Sequence, residues 1–170
     1  RSAVSWSIWT IPPAGKHSAG GLDQCYDACG IRLNSAQLGR DQNRISAGGY
    51  SAGGSLVAGI ALKAAETGDF SLCLQVLGYP PLDNILNPVY KRGGLKRVLP
   101  AERERAFTEL YFGDDEAAKA SPYGSPSYAT DGSSCAGCPG ALVITAGGAT
   151  SVTRMKNMRC GWRAWALKLR

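Results

Sequence analysis

Histidine is all but missing: His17 is the one imidazole in 170 residues, and none follows it. Chemistry that needs a histidine base downstream of a nucleophile therefore has no such residue in this sequence. Long apolar runs are also absent, and none reaches the roughly 20 residues that a helix needs to cross a bilayer. Arg1 leads directly into a mixed, strand-like segment without the zones of a secretory signal. A cytoplasmic protein with no membrane span is the default expectation. Acidic residues are missing from one region, because residues 154–170 carry Lys and Arg and no Asp or Glu. Residues 1–153 are near neutral, so the net charge of +6 belongs to the tail. Lys and Arg also cluster over 91–105, where Glu102 and Glu104 interrupt them. This distribution is not that of a basic face, and no nucleic-acid partner is expected.

Six cysteines are present, but their spacing does not build a metal site. Cys135 and Cys138 have zinc-knuckle spacing, whereas a structural zinc needs four ligands, usually as two such pairs. Cys25 and Cys29 are one helical turn apart, Cys73 falls in an apolar strand, and Cys160 falls in the basic tail. Buried or incidental thiols are the favoured reading, since free cysteine behaves as a small hydrophobe. A redox or disulfide role for Cys135 and Cys138 stays open. Neither a metal nor a cofactor is expected.

What is present is a chain of ordinary globular composition, 44% apolar and 19% charged. Its length suffices for one domain that buries roughly 70% of its unfolded surface. Residues 3–9 alternate as a strand does, and Pro12, Pro13 and Gly15 make a loop. Leu22, Cys25, Tyr26, Cys29, Leu33 and Ala36 recur at helical spacing and predict a helix over 22–38, stopped by Gly39. A short strand over 43–48 turns into a helix over 52–67 that Gly68 closes. Residues 72–78 read as a buried strand, 84–100 as a polar connection, 101–110 as a helix, and 114–120 as the start of another. Residues 121–139 read as loop and 141–145 as the final strand. Strands alternating with helices, the later strands almost wholly apolar, predict an α/β fold with a mainly parallel sheet covered by helices.

Within that frame, Gly49-Tyr50-Ser51-Ala52-Gly53-Gly54 fits G-x-S-x-G. That pattern is a sharp strand-to-helix turn that lifts a serine hydroxyl to the top of a sheet. It makes Ser51 the candidate nucleophile, with Gly49, Gly53 and Gly54 as the elbow. Other runs extend the match. Residues 22–28 (Leu-Asp-Gln-Cys-Tyr-Asp-Ala) precede the elbow strand, and Gln75-Val76-Leu77 and Tyr79-Pro80-Pro81-Leu82-Asp83 follow it. Tyr111-Phe112-Gly113-Asp114-Asp115, Ser121-Pro122-Tyr123-Gly124-Ser125-Pro126 and the strand from Pro139 to Gly147 come next.

In this order, across about residues 20–147, these motifs resemble the central part of a hormone-sensitive-lipase-type carboxylesterase of the α/β-hydrolase superfamily. The resemblance implies a partial α/β-hydrolase fold and a serine acyl-enzyme mechanism acting on small acyl esters. Ala52 would lend its backbone N–H to the oxyanion hole. The second reading is a noncatalytic binding protein that keeps the hydrolase core; retention of Ser51 in an intact elbow favours the esterase.

The sequence departs from the family at several points. The His-Gly-Gly-Gly loop that precedes the serine is absent. His17-Ser18-Ala19-Gly20-Gly21 imitates it but aligns with the loop between a strand and the helix after it. Tyr50 stands where the family usually has Asp. Thr150 occupies the position of the family's catalytic acid. Residues 1–148 are therefore expected to form an incomplete hydrolase domain, with 149–170 as a loosely packed basic tail. Read one base out of register, residues 150–170 permit a sequence beginning Asp-Phe-Arg-His-Glu-Asp, similar to the family's acid-bearing loop. A truncated or frameshifted chain of little or no activity is the expectation.

Overall fold

A computed structural model describes residues 18–33, 41, 44–88, 99–129, 137–146 and 164–169. The elements are helix α1 (Ser18–Leu33), strand β1 (Ser46–Tyr50), helix α2 (Ala52–Thr67), strand β2 (Leu74–Gly78), helices α3 (Ala101–Phe112) and α4 (Glu116–Ala120), a 3₁₀ turn at Pro126–Tyr128, and strands β3 (Ala141–Ala146) and β4 (Ala164–Leu169). The four strands form one sheet in the order β1-β2-β3-β4, and every neighbouring pair is parallel. The expected α/β architecture is the observed one. Parallel strands place all their C-terminal ends on one edge, where the chain leaves for the connecting segments.

Helix α2 is the centre of the packing. Its sequence is small and apolar nearly all round, and Val57, Ala58, Ile60, Ala61, Leu62 and Ala64 are buried. One side packs with Leu22 and Tyr26 of α1 and with Phe70 and Leu72. Val57 and Ala58 instead meet Leu77, Ala141 and Val143 on the sheet and Leu82 beyond the end of β2. Burying a single Leu or Val side chain stabilises by about 1.5–3 kcal/mol, so these clusters fix α2 between α1 and the sheet. The helix stops at Gly68, whose φ of 72° is left-handed and whose N–H returns to the Ala64 carbonyl at 2.9 Å. This is the αL cap that a C-terminal glycine supplies. The Tyr26 hydroxyl lies 2.6 Å from Thr67 Oγ1 and donates to Asp69 Oδ2 at 2.8 Å, tying α1 to the end of α2.

The structure corrects several sequence-based boundaries. Helix α1 starts at Ser18, through Gly20 and Gly21, and the expected extension to residue 38 runs outside the described residues. Packing of Leu22 and Tyr26 on α2 overrides the poor helix propensity of those glycines. Ser18–Gly21 thus form a helical turn where a loop was expected, and His17 lies outside the described residues. Strand β1 begins later than expected and runs to Tyr50 without a gap before Ser51. Cys73 is exposed and sits just before β2, not within it. The expected loop over 121–139 contains a buried node in its described part. Ser125 Oγ donates to the Lys119 carbonyl at 2.7 Å and accepts from the Asn84 N–H at 3.0 Å.

The largest correction concerns the tail. The strand at 141–145 is not the last one, because Ala164–Leu169 adds a parallel β4 in register from Ala141↔Ala164 to Ala146↔Leu169. The alternating Ala-Trp-Ala-Leu-Lys-Leu run supplies backbone partners to an edge of β3 that would otherwise be open. Residues 164–169 of the expected tail thus form a strand paired with β3. The expected strand at 3–9, the loop at 12–15 and Cys160 all lie outside the described residues. No helix among the described residues is long and apolar enough to cross a membrane.

Candidate active site

Ser51 occupies the one-residue junction between β1 and α2, with φ 50° and ψ −123°. A non-glycine residue with positive φ is uncommon, and holding one in a sparsely populated region costs of order 1–3 kcal/mol. The surrounding bonds over-determine this conformation. The Ser51 N–H donates to the Gly78 carbonyl at 2.8 Å, while its own carbonyl accepts from the N–H groups of Gly54 (2.9 Å) and Ser55 (3.2 Å). Ser55 Oγ donates to the Pro81 carbonyl at 2.7 Å and pins the first turn of α2 to the exit of β2.

A serine at an N-cap ordinarily turns its hydroxyl onto the N–H groups of its own helix. Ser51 makes no such side-chain cap bond, and the residue is exposed. The strained backbone thus diverts the hydroxyl from the structural role that its position would otherwise give it. Ala52 is the first residue of α2, so its N–H is one of the four that a helix leaves without an intrahelical partner. The same terminus carries the positive end of the helix dipole. A serine hydroxyl not used in capping and backbone donors suited to a negative charge therefore stand side by side.

The three elbow glycines are not equivalent. A Cβ on Gly49 would lie 2.8 Å from the Gly54 nitrogen, and closer still to the carbonyl group of Gly53. A Cβ on Gly54 would meet the Gly49 oxygen and Pro80 Cβ, each at 3.0 Å. Gly49 and Gly54 therefore permit the close crossing of strand and helix. Gly53 would meet nothing within 4 Å. The turn needs the backbone of Gly53 but not its missing side chain.

The partners of a triad are not brought to Ser51 by the described residues. Strand β3 ends at Ala146, and Thr150, the expected position of the acid, lies outside the described residues, as does His17. No group of three or more His, Cys, Asp or Glu suited to a metal occurs among the described residues. Cys25 and Cys73 are reduced thiols, the Cys138 thiol donates to the Ala61 carbonyl at 3.6 Å, and Cys135, the other half of the expected pair, is outside the described residues. Burial raises the pKa of Cys25, the direction opposite to that of a reactive thiolate. The shifted tyrosines also lie away from the elbow. Tyr123 is pushed up to about 12 by desolvation and by its hydrogen bond to Glu66.

Sequence reasoning missed one feature of the site. Tyr50 and Tyr79, each next to the elbow on its own strand end, are both exposed and face each other with ring centroids 5.7 Å apart. The substitution of Tyr50 for the usual acid was visible in the sequence, but its partner was not.

Comparison with known proteins follows the same lines. The sequence model of a family described as alpha/beta hydrolase fold matches residues 13–166. Among solved structures, an esterase from Pyrobaculum calidifontis superposes with a TM-score of 0.74 at 29% identity, over 94% of this chain and 53% of that one. A thermostable esterase from Pseudomonas putida gives a TM-score of 0.74 at 25% identity, covering 93% of this chain and 50% of that one. A bacterial heroin esterase gives 0.75 at 25% identity, covering 94% and 52%. The chain thus spans about half the length of the structures it matches. The search of curated proteins finds no match.

Proposed function

The chain belongs to the alpha/beta hydrolase fold family, in its esterase-like, hormone-sensitive-lipase-type branch, and from that premise we propose that it is built for carboxylic-ester hydrolysis with Ser51 as nucleophile. Ser51 Oγ attacks the ester carbonyl carbon, the carbonyl oxygen takes up negative charge, and the C–O bond to the alcohol then breaks. Water cleaves the resulting acyl-enzyme and releases the acid. The Ala52 N–H and the N-terminus of α2 stabilise the oxyanion, a contribution worth about 10²–10³ in rate per donor. The observation that carries the reading is the strained, exposed Ser51 whose hydroxyl is withheld from capping its own helix.

The serine proton needs a base, and no histidine follows Ser51 in the sequence. The chain by itself is therefore proposed to turn over small acyl esters weakly at most. Residual hydrolysis without a complete triad rests on oxyanion stabilisation and binding alone. The same deficit favours a second reading, a binding protein that retains the hydrolase core. Hydrolysis of p-nitrophenyl acetate by the purified chain, compared with Ser51→Ala, separates the two. A slow rate that disappears in the variant supports the esterase. Equal rates in both proteins would leave the binding reading, and fast Ser51-dependent turnover would mean that another residue serves as base.

A further inference from the structure

Among the described residues, two non-glycine positions have positive φ: Ser51 (50°) and Tyr79 (37°). They lie at the C-terminal ends of neighbouring parallel strands, where Tyr50 and Gly78 pair in register. The Ser51 N–H to Gly78 carbonyl bond joins the two ends at 2.8 Å, and the Tyr79 N–H is held by the Ile144 carbonyl at 2.7 Å. For a bulky residue such a φ is an outlier. It is more unusual still before a proline, which biases its predecessor toward extended backbone. The conformation nonetheless leaves the Tyr79 side chain 49% exposed and close to Tyr50, itself 66% exposed.

The strand beneath is shaped to this arrangement. A Cβ on Gly78 would come within 2.7 Å of Tyr50 Cε1 and nearer still to Cδ1. The Tyr50 ring thus lies over a backbone from which a side chain is absent. The two rings tilt by 33° with centroids 5.7 Å apart, within the separation at which aromatic groups attract. Strain, a vacated Cβ position and two exposed large rings converge on one spot adjoining Ser51, and strained residues of this kind cluster at ligand sites.

Resting on the ester-hydrolase reading, we infer that Tyr50 and Tyr79 form an aromatic platform that selects esters carrying a flat aryl group. One ring of the substrate stacks on the pair while its carbonyl reaches Ser51. Tyr50 and Tyr79 act on specificity and take no part in bond making. Stacking of one ring on another contributes a preference over a saturated ring of about two- to tenfold.

The test uses ketones that the protein cannot hydrolyse. Phenylacetone and propiophenone are isosteric with phenyl acetate and methyl benzoate, and each is compared with its cyclohexyl counterpart. Dissociation constants are read from NMR shifts on the chain, on Tyr50→Ala and Tyr79→Ala, and on Tyr50→Phe and Tyr79→Phe. The expected result is at least twofold tighter binding of one aryl ketone than of its saturated counterpart, lost in the alanine variants and kept in the phenylalanine ones. Should Tyr79→Ala not fold, Tyr50→Ala alone decides. An aryl preference missing from the unmodified chain, or surviving in the folded alanine variants, overturns the platform. Because binding needs no turnover, failure here is distinct from failure of the hydrolase reading, which shows as Ser51-independent hydrolysis.

Discussion

Gly49→Ala and Gly53→Ala change residues four apart in the same elbow, yet the structure gives them opposite signs. At Gly49 the new methyl would stand 2.8 Å from the Gly54 nitrogen and nearer to the Gly53 carbonyl, whereas an ordinary carbon contact is about 3.5–4.0 Å. These are backbone atoms of a helical turn that cannot rotate away. Ser51 and Ser55 also tie that turn down through bonds to Gly78 and Pro81. Overpacking costs about 1–3 kcal/mol where side chains can adjust, so the rigid case belongs at or above about 3 kcal/mol. At Gly53 nothing lies within 4 Å and the residue is helical, so alanine should gain about 0.5–1 kcal/mol from its better helix propensity. For a chain of this size each kcal/mol moves Tm by about 2–4 °C. Gly49→Ala should therefore lower Tm by about 6 °C or more, and Gly53→Ala should raise it by about 1–4 °C. Urea unfolding with unchanged slope should rank the variants in the same order. A Gly53→Ala variant as damaged as Gly49→Ala would refute the assignment of the close crossing to Gly49.

Three further outcomes are expected. Replacing Ser51 with Gly should stabilise the fold by about 1 kcal/mol in thermal unfolding, because glycine relieves the strain at φ 50°; an unchanged or lower Tm would mean that the turn is not strained. Gly78→Ala should destabilise the chain and Tyr50→Ala should restore part of the loss, since the new methyl collides with the Tyr50 ring; a double-mutant cycle without coupling would contradict this. The pKa of Tyr123, raised above the ordinary 10 to about 12, means that folding favours its protonated form. That contribution is fully present below about pH 10 and fades as pH rises through about 12. Alkaline unfolding should lose dependence in that window in Tyr123→Phe, and a pH profile identical to that of the unmodified chain would reject the coupling.

Much of this architecture was legible in the sequence because local and tertiary signals agreed. The span of α2 follows from a small apolar run bounded by the elbow and by Gly68, and β2 and β3 follow from apolar runs that only a parallel, two-sided burial explains. Ser51 was legible because one turn of chain imposes both its spacing and its strain. Other features depend on contacts between distant segments. Pattern alone could not distinguish Gly49 from Gly53, since the difference is what lies opposite each Cβ. The start of α1 depends on Leu22 and Tyr26 meeting α2 against local propensity. Strand β4 was hidden because it sits in a basic stretch that read as a tail, whereas the open edge of β3 decides its pairing. The conformation of Tyr79 had no sequence signal, because a residue before proline ordinarily stays extended.

The central claim is that this elbow presents Ser51 as a nucleophile. It is tested most directly by treating the folded chain with a fluorophosphonate and locating the adduct by peptide mass spectrometry. The reagent forms a P–O bond to an activated serine and expels fluoride, so it reports the nucleophile without requiring ester turnover. The account predicts slow modification concentrated on Ser51, absent after urea unfolding and absent in Ser51→Ala. Modification spread evenly over exposed serines such as Ser46 and Ser71, or a folded chain with Ser51 untouched, would contradict it.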